Sequence, residues 1–291
     1  MSISGALGEE REVKLPQGTI RYRERGKGEP IVFVHGLLVN GDLWRKVVPR
    51  LADRYRCITP DWPLGSHSVP VAPDADLTPT GLARIIADFM AKLDLRDVTL
   101  VGNDTGTGLS QITVTEHPER IGRLVLTTGD AFSNFPPMAF RPLVGLGYAP
   151  PLLWLLEKGL RPNAVRRVSL MGLAKTLKDP EIFESYAGQA KYAGIRRDVA
   201  KVLKNVRSRY TKAAAEKLPD VKVPALMVWA TDDKFFPNEH AYKLAELIPD
   251  ASVVEIADSY AFISEDQPER TAHAIGEFMA AKAVETAGRV A

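Results

Sequence analysis

Residues 98–111 constrain the fold of this chain more than any other stretch. They read V-T-L-V-G-N-D-T-G-T-G-L-S-Q, so a short apolar run is followed by glycines at positions 102, 106 and 108. The apolar run is typical of a buried strand, and the residues after the glycines have helical character. A chain that turns sharply from a strand into a helix holds its apex residue in a strained conformation, which small neighbours on both sides permit. The spacing of Gly102 and Gly106 therefore predicts Asp104 at the apex of such a turn.

Strand and helix patterns alternate on both sides of this turn. Strands at this spacing, separated by helices, predict an α/β fold with a mostly parallel central sheet and helices on both faces. We expect the first strands to form an antiparallel edge, which such sheets tolerate. Besides the strand before Asp104, the predicted strands cover residues 19–24, 31–34, 57–59, 123–127, 224–229 and 252–256. The predicted helices cover residues 43–52, 78–90, 105–117 and 238–247, and a last one begins at 268.

The pattern changes between about residues 132 and 215. Prolines interrupt the start of this segment, and helical patterns then follow one another without a strand. We expect it to form a helical cap domain over 132–215, inserted into a core domain made of 1–131 and 216–291. The stretch 151–160 is strongly apolar and includes Trp154, so we expect its helix to roof a pocket for a small hydrophobic substrate.

Charge, hydropathy and cysteine content give no sign of nucleic-acid binding, membrane insertion or secretion. A formal net charge of +2 over 291 residues gives no reason to expect nucleic acid or an anionic membrane. The N-terminal residues lack the basic and apolar regions of a signal peptide, and no stretch is apolar enough to span a bilayer. Cys57 is the only cysteine, which rules out an intrachain disulfide. We expect a cytoplasmic monomer or homodimer without a cofactor or metal.

Four landmarks resemble α/β-hydrolase-fold proteins, and most closely the haloalkane dehalogenases and epoxide hydrolases, whose nucleophile is an aspartate. The resemblance covers nearly the whole chain and implies the α/β-hydrolase fold with a helical cap. In chain order the landmarks are His35-Gly36 after a strand, Asp61 with Gly65-Ser66 after the next, Asp104 in its glycine frame, and Asp232-Asp233 after Trp229.

The resemblance implies a role for several residues. Asp104 would be the nucleophile, because a carboxylate is already ionised near neutral pH and attacks a saturated carbon without a base. The backbone N–H groups of Leu37 and Thr105 would form the oxyanion hole. Asp233 would be the acid partner of a catalytic histidine. Asp130, which follows the predicted strand 123–127, is an alternative acid partner. It is equally well interpreted as an ordinary turn residue.

The histidine that this family places after the last strand is missing. The loop 258–269 reads D-S-Y-A-F-I-S-E-D-Q-P-E, and Ala261 occupies the position of that histidine. The histidine would activate the water that cleaves the alkyl ester on Asp104. None of the histidines, at 35, 67, 117, 240 and 273, lies in this loop. Tyr260 is the better candidate for a polar contact there, although a tyrosine of ordinary pKa is a poor base.

Further residues are candidates for substrate contact. Asn40 and Asn103 would bind a polar group of the substrate or satisfy backbone groups, and Trp154, Tyr260 and Phe262 would contact its apolar part. Leu37 and Thr105 replace the side-chain halide donors of dehalogenases, and Leu38 replaces a proline of epoxide hydrolases. Epoxide hydrolases protonate the epoxide oxygen with tyrosines of the cap. Tyrosines 148, 186, 192 and 210 are candidates for that role, although packing is the commoner role of such residues.

Three functions remain as hypotheses. The first, which we favour on the family resemblance, is a hydrolase of the dehalogenase or epoxide-hydrolase type with an incomplete triad. The second is a non-hydrolytic lyase, isomerase or cyclase that uses Asp104 as a general acid or base, because a carboxylate under an apolar cap has a raised pKa. The third is a catalytically inactive ligand-binding homologue.

Overall fold

A single twisted sheet carries the candidate residues. The computed structural model describes residues 3–149, 152–153, 155, 172–177 and 179–290. Within these residues the sheet has eight strands: β1 (Glu9–Leu15), β2 (Gly18–Arg25), β3 (Pro30–Val34), β4 (Arg56–Pro60), β5 (Val98–Asp104), β6 (Ile121–Gly129), β7 (Ala225–Ala230) and β8 (Ala251–Ile256).

The strand order is β1-β2-β4-β3-β5-β6-β7-β8. β1 pairs with β2 and β2 with β4 in antiparallel fashion, whereas all later neighbours are parallel. The predicted α/β class, parallel sheet and antiparallel edge are therefore confirmed. β5 lies between β3 and β6, and every one of its residues is buried. This position explains its continuous apolar run, because a strand covered on both faces has no polar side.

The helices that the structure describes are α1 (Val48–Leu51), α2 (Pro79–Lys92), α3 (Thr105–Glu116), α4 (Arg141–Leu146), α5 (Pro180–Ala187), α6 (Ala193–Asn205), α7 (Ser208–Lys217), α8 (Glu239–Leu247), α9 (Ile263–Asp266) and α10 (Pro268–Val290). None of the helices in the described part is both long enough and apolar enough to cross a bilayer.

Two predictions of secondary structure were wrong. The helix predicted over 43–52 is divided into a 3-10 helix, Gly41–Trp44, and the short α1. Pro49 has no N–H to donate to the carbonyl of Arg45, so the helical ladder cannot continue across this point. β1 was missed because its first residues, E-E-R-E, are charged and exposed. Two of its glutamates instead pair with an arginine on β2: Arg21 lies 3.4 Å from Glu10 and 3.0 Å from Glu12.

The chain between β6 and β7 contains α4, α5, α6 and α7, and its described residues contain no strand. The cap boundaries 132–215 stay a prediction. Most of the apolar stretch 151–160, including Trp154, lies outside the described residues. Leu153 is described and buried, and it packs in a small apolar cluster with Val199, Ala200 and Leu203 of α6, against which Leu37 also packs.

Candidate active site

Asp104 occupies the strained turn that its glycine frame predicts. It is the last residue of β5 and directly precedes α3, with φ 54° and ψ −125°. This conformation is costly for any residue other than glycine, so the surrounding structure must hold it in place. Two glycines are required by close packing here. A Cβ on Gly106 would lie 2.1 Å from the Val34 carbonyl oxygen, and one on Gly36 would lie 2.0 Å from Asp104 Oδ2.

The two predicted oxyanion residues lie beside the Asp104 carboxylate. The backbone N–H groups of Leu37 and Thr105 interact with it and lower its pKa. Burial acts in the opposite direction and more strongly, and the charge of Asp233 adds to it, so the pKa of Asp104 is raised from 3.8 to about 7. Removal from water disfavours the ionised form of a carboxyl, and a nearby like charge does the same.

Asp130 also lies next to the turn. Its N–H donates to the backbone oxygen of Asp104 at 3.1 Å, and its Oδ2 accepts from Thr105 Oγ1 at 3.2 Å. The side chain is buried, and Oδ1 has no hydrogen-bond partner. Burial, followed by the charge of Asp104, raises the pKa of Asp130 well above its usual value. The two carboxyls therefore cannot both be ionised without strong repulsion.

Asp233 is the third carboxyl of this group. Its Oδ1 accepts from the N–H groups of Phe235 at 2.7 Å and Phe236 at 2.6 Å, and its Oδ2 is buried without a partner. Burial raises the pKa of Asp233 in spite of these donors and of a contribution from the Ala261 N–H. Asp232, beside it, is exposed and lies 2.5 Å from Lys175 Nζ. Of these two neighbouring carboxyls, only Asp233 has a raised pKa, because hydrogen bonds from Lys175 and Thr231 lower the pKa of Asp232.

The position of the absent histidine is filled by protein. Ala261 is fully buried, and its carbonyl accepts from Asn103 Nδ2 at 2.8 Å. The next residue, Phe262, is also fully buried and donates its N–H to the Leu173 carbonyl at 2.8 Å. Asp233 Oδ2 has no hydrogen-bond partner from this loop or from any other described residue.

All five histidines lie in the described part, and none hydrogen-bonds to Asp104. His35 is buried between strand ends, where Nδ1 donates to the Gly36 carbonyl at 2.9 Å and Nε2 accepts from the Trp62 N–H at 2.9 Å. Burial lowers its pKa to about 4, so it is neutral. His117 ends α3, His240 packs 5.4 Å from the ring of Phe132, and His273 is exposed. His67 is buried against the carboxylate of Asp198.

The two asparagines use their amide nitrogens inside the protein. Asn103 is fully buried and donates to Thr127 Oγ1 at 2.8 Å and to the Thr128 carbonyl at 3.1 Å, in addition to Ala261. Asn40 accepts from the Asp42 N–H at 3.1 Å and donates to Ser185 Oγ at 2.9 Å. These contacts favour the structural alternative that the sequence left open for both residues.

The remaining candidates have different surroundings. Tyr260 is half-buried, and Nζ of Lys234 and Nζ of Lys175 lie 4.5 Å and 5.1 Å from its ring centre. Phe262 belongs to the main hydrophobic core. Trp154 lies outside the described residues. Among the tyrosines at 148, 186, 192 and 210 only Tyr186 is buried, and its hydroxyl has no hydrogen-bond partner. Contact of these residues with a substrate stays a prediction.

Two acidic residues that position the 258–269 loop were missed. Glu265 forms a buried pair with Arg45, with Nη2 and Oε2 3.0 Å apart. Asp266 accepts from the N–H groups of Lys175 at 2.9 Å, Thr176 at 2.8 Å and Tyr260 at 3.0 Å. No local pattern predicts these contacts, because Arg45 and Glu265 are 220 positions apart.

Comparison with known proteins agrees with this architecture. Residues 29–268 match the model of the alpha/beta hydrolase fold family. The chain belongs to that family. The predicted resemblance is confirmed at this level, and its relatives include hydrolases, which supports a hydrolase in the general sense. No group of three or more histidine, cysteine or acidic side chains in the described residues is arranged to hold a metal ion.

Three members of the family illustrate the range of its relatives. Haloalkane dehalogenase 2 of Mycobacterium tuberculosis is 27% identical over 274 residues, which cover 90% of this chain and 91% of that protein. The cis-3-alkyl-4-alkyloxetan-2-one decarboxylase of Shewanella oneidensis is 28% identical over 281 residues, covering 89% and 85%. A solved structure of a serine hydrolase involved in carbazole degradation is 25% identical, with a TM-score of 0.76 over 94% of this chain and 98% of that one.

Proposed function

We propose that this α/β hydrolase uses Asp104 as a nucleophile toward a small hydrophobic electrophile and forms an alkyl ester on it. The observation that carries the proposal is the Asp104 carboxylate at the strained apex, where the N–H groups of Leu37 and Thr105 interact with it. With one carboxylate oxygen held by these donors, the other attacks the carbon. With a haloalkane, the new C–O bond forms as the carbon–halogen bond breaks and halide leaves with the electron pair.

The surroundings of Leu37 support a hydrophobic substrate. Leu37 packs against the apolar cluster of Leu153, Val199, Ala200 and Leu203, so apolar side chains from the helical segment lie next to an oxyanion residue. The relative named haloalkane dehalogenase 2 supports electrophiles of the haloalkane class as the first to test. A neutral substrate also suits a group of three carboxyls, because an anionic substrate would be repelled.

Cleavage of the ester is the step that this site performs poorly. Asp233 has no histidine to orient, since Ala261 is buried in its place. General base assistance is worth about 10²- to 10⁴-fold. An ester on Asp104 therefore accumulates, or it decays by a route that consumes no activated water.

The second candidate function is decarboxylation of a 2-oxetanone, a reaction that consumes no water. The relative named cis-3-alkyl-4-alkyloxetan-2-one decarboxylase favours it. Asp104 would open a 2-oxetanone by attack of a carboxylate oxygen on the saturated ring carbon that bears the ring oxygen. The bond from that carbon to the ring oxygen breaks, and the oxygen keeps the electron pair as part of the new carboxylate. Loss of CO₂ then breaks the adjacent C–C bond, and its electron pair forms an alkene as Asp104 leaves. Atoms and charge balance without water. The pKa of about 7 for Asp104 equally suits proton transfer without a covalent intermediate.

The mass of the intact protein separates these possibilities after incubation with a 1-bromoalkane, a terminal epoxide or a dialkyl-2-oxetanone. An accumulating adduct that maps to Asp104 supports the nucleophile, and alkene and CO₂ without an adduct support the second candidate. Asp104→Asn must abolish both results, whereas the exposed carboxylate variant Asp232→Asn must not. The absence of adduct and turnover with all three reagents would refute the nucleophilic role and favour an inactive homologue or proton transfer alone.

A further inference from the structure

A second buried polar cluster lies outside the three carboxyls. It joins His67, in the loop after β4, to Asp198 in α6, and both side chains are buried. His67 Nε2 lies 3.1 Å from Asp198 Oδ2, and His67 Nδ1 accepts from the Gly65 N–H at 3.3 Å. Because Nδ1 accepts, the neutral ring carries its proton on Nε2 and donates it to the carboxylate.

Asp198 is held on both of its oxygens. Oδ2 also accepts from the Val71 N–H at 3.0 Å. Oδ1 accepts from Nε and Nη2 of Arg197 at 2.9 Å and 2.7 Å, and Arg197 Nη2 donates further to the Val71 carbonyl at 2.5 Å. Hydrogen bonds to an ionised acceptor are stronger than neutral ones, so this carboxylate is a rigid anchor for whatever else it binds.

The loop that carries His67 contacts the segment after β3 that contains Leu37 and Leu38. The Leu38 N–H donates to the Leu64 carbonyl at 2.9 Å. Gly65 has φ +117° and lies in a narrow space, since a Cβ there would be 2.8 Å from Leu38 Cδ2 and 2.7 Å from Val199 Cγ2. The loop is therefore packed between the residue after Leu37 on one side and α6 on the other.

Helix α6 also reaches Leu37 directly. Val199, Ala200 and Leu203 form the apolar cluster against which Leu37 packs, and Val199 is the residue next to Asp198. A displacement of α6 would thus act on residues 37–38 through both the apolar cluster and the loop.

We propose that His67 is a positioning residue, whose hydrogen bond to Asp198 fixes α6 against the loop and thereby orients the Leu37 N–H toward Asp104. Its kinetic consequence rests on the proposed nucleophilic role of Asp104, whereas its structural consequence does not. A displacement of α6 then also displaces Leu37.

The test compares His67→Ala and His67→Gln, with the exposed His273→Ala as the matched control. Amide hydrogen exchange is measured for residues 36–40, α6 and the core strands β5 and β6. We expect His67→Ala to speed exchange at 36–40 and α6 by about tenfold or more while β5 and β6 are unchanged, and to slow bromoalkane addition to Asp104 by about 10- to 100-fold. Glutamine keeps a donor and an acceptor, so His67→Gln restores both readouts in large part, and His273→Ala leaves both at the wild-type level.

Three results would overturn the proposal: unchanged exchange at 36–40 in His67→Ala, unchanged addition to Asp104 despite faster exchange, or no rescue by glutamine. If His67→Ala does not fold, His67→Phe is measured in its place, because phenylalanine keeps the ring volume without either nitrogen. If the wild-type chain forms no adduct, the proposed function fails, and the exchange at 36–40 alone still decides whether His67 couples α6 to that loop.

Discussion

Replacement of Asp104 by asparagine is expected to remove the reaction and to stabilise the fold at neutral pH. The carboxyl has a pKa of about 7 in the folded chain against 3.8 ordinarily, because it is buried and faces the charge of Asp233. A pKa that is higher by about three corresponds to about 4 kcal/mol, at about 1.36 kcal/mol for each unit. Asparagine has nearly the same shape and cannot ionise, so it avoids this cost.

The sign depends on pH. A raised pKa in the folded state means that the folded chain holds its proton more tightly than the unfolded chain between pH 4 and 7. The charge of Asp104 therefore does not lower the free energy of unfolding below about pH 4, and it lowers this free energy increasingly as the pH rises to about 7. Part of the gain is lost because the amide accepts more weakly than a carboxylate from the N–H groups of Leu37 and Thr105. We expect Asp104→Asn to raise the free energy of unfolding by about 2–4 kcal/mol at pH 8 and by much less at pH 4.5.

Urea denaturation at the two pH values measures this difference directly. Asp232→Asn is the matched control, because hydrogen bonds from Lys175 and Thr231 lower the pKa of that exposed carboxyl. Its contribution to stability is present above its ordinary pKa and is lost as the pH falls, so its removal should not stabilise the chain at pH 8. A Asp104→Asn variant that is equally or less stable than the wild type at pH 8 would refute the electrostatic account of this site.

Further variants test other parts of the site. Gly36→Ala should reduce addition of a bromoalkane to Asp104 by about 10²-fold or more, as followed by intact mass, because its methyl group would overlap Oδ2; a normal rate would contradict the packing. The addition rate of the wild type should rise with pH through about 7, where Asp104 ionises, and a flat profile would exclude it as the attacking group. Arg45→Met should cost about 2–3 kcal/mol in urea denaturation, because the buried Glu265 then keeps only the partly exposed Lys46, 3.0 Å away, as a cationic partner; a loss below about 1 kcal/mol would show that the pair with Arg45 is dispensable. Ala261→His should shorten the lifetime of a preformed ester on Asp104 by about 10²-fold or more, and an unchanged lifetime would show that a histidine at this position does not activate water.

The turn at Asp104 could be predicted from the sequence because its causes are local. Gly102, Gly106 and the preceding apolar run are enough to predict it, and all three lie close together in the chain, whereas the close approach of Gly36 is seen only in the fold. The parallel sheet followed in the same way from the alternation of strand and helix patterns. β1 could not be predicted in this way, because its first residues are charged and exposed, and Glu10 and Glu12 pair with Arg21 on β2.

The rest of the site depends on contacts between distant parts of the chain. The sequence marks Ala261 as a departure from the family, but only the fold shows that Asn103 bonds to its carbonyl and that the position is closed. His67 has no local feature that distinguishes it from a surface histidine, because its partner Asp198 lies 131 positions away. The raised pKa of Asp104 likewise arises from burial and from Asp233, which no short pattern contains.

The charged start of β1 also has a consequence for how this protein meets other copies of itself. β1 is the outermost strand on its side of the sheet, and its residues Glu9–Leu15 begin with three glutamates and an arginine. A strand added there from another molecule would bring its own side chains against a row of fixed charges, which is a common defence of natural sheets against open-ended growth. The charged residues that make β1 hard to predict from the sequence therefore also oppose the addition of a further strand at this edge of the sheet.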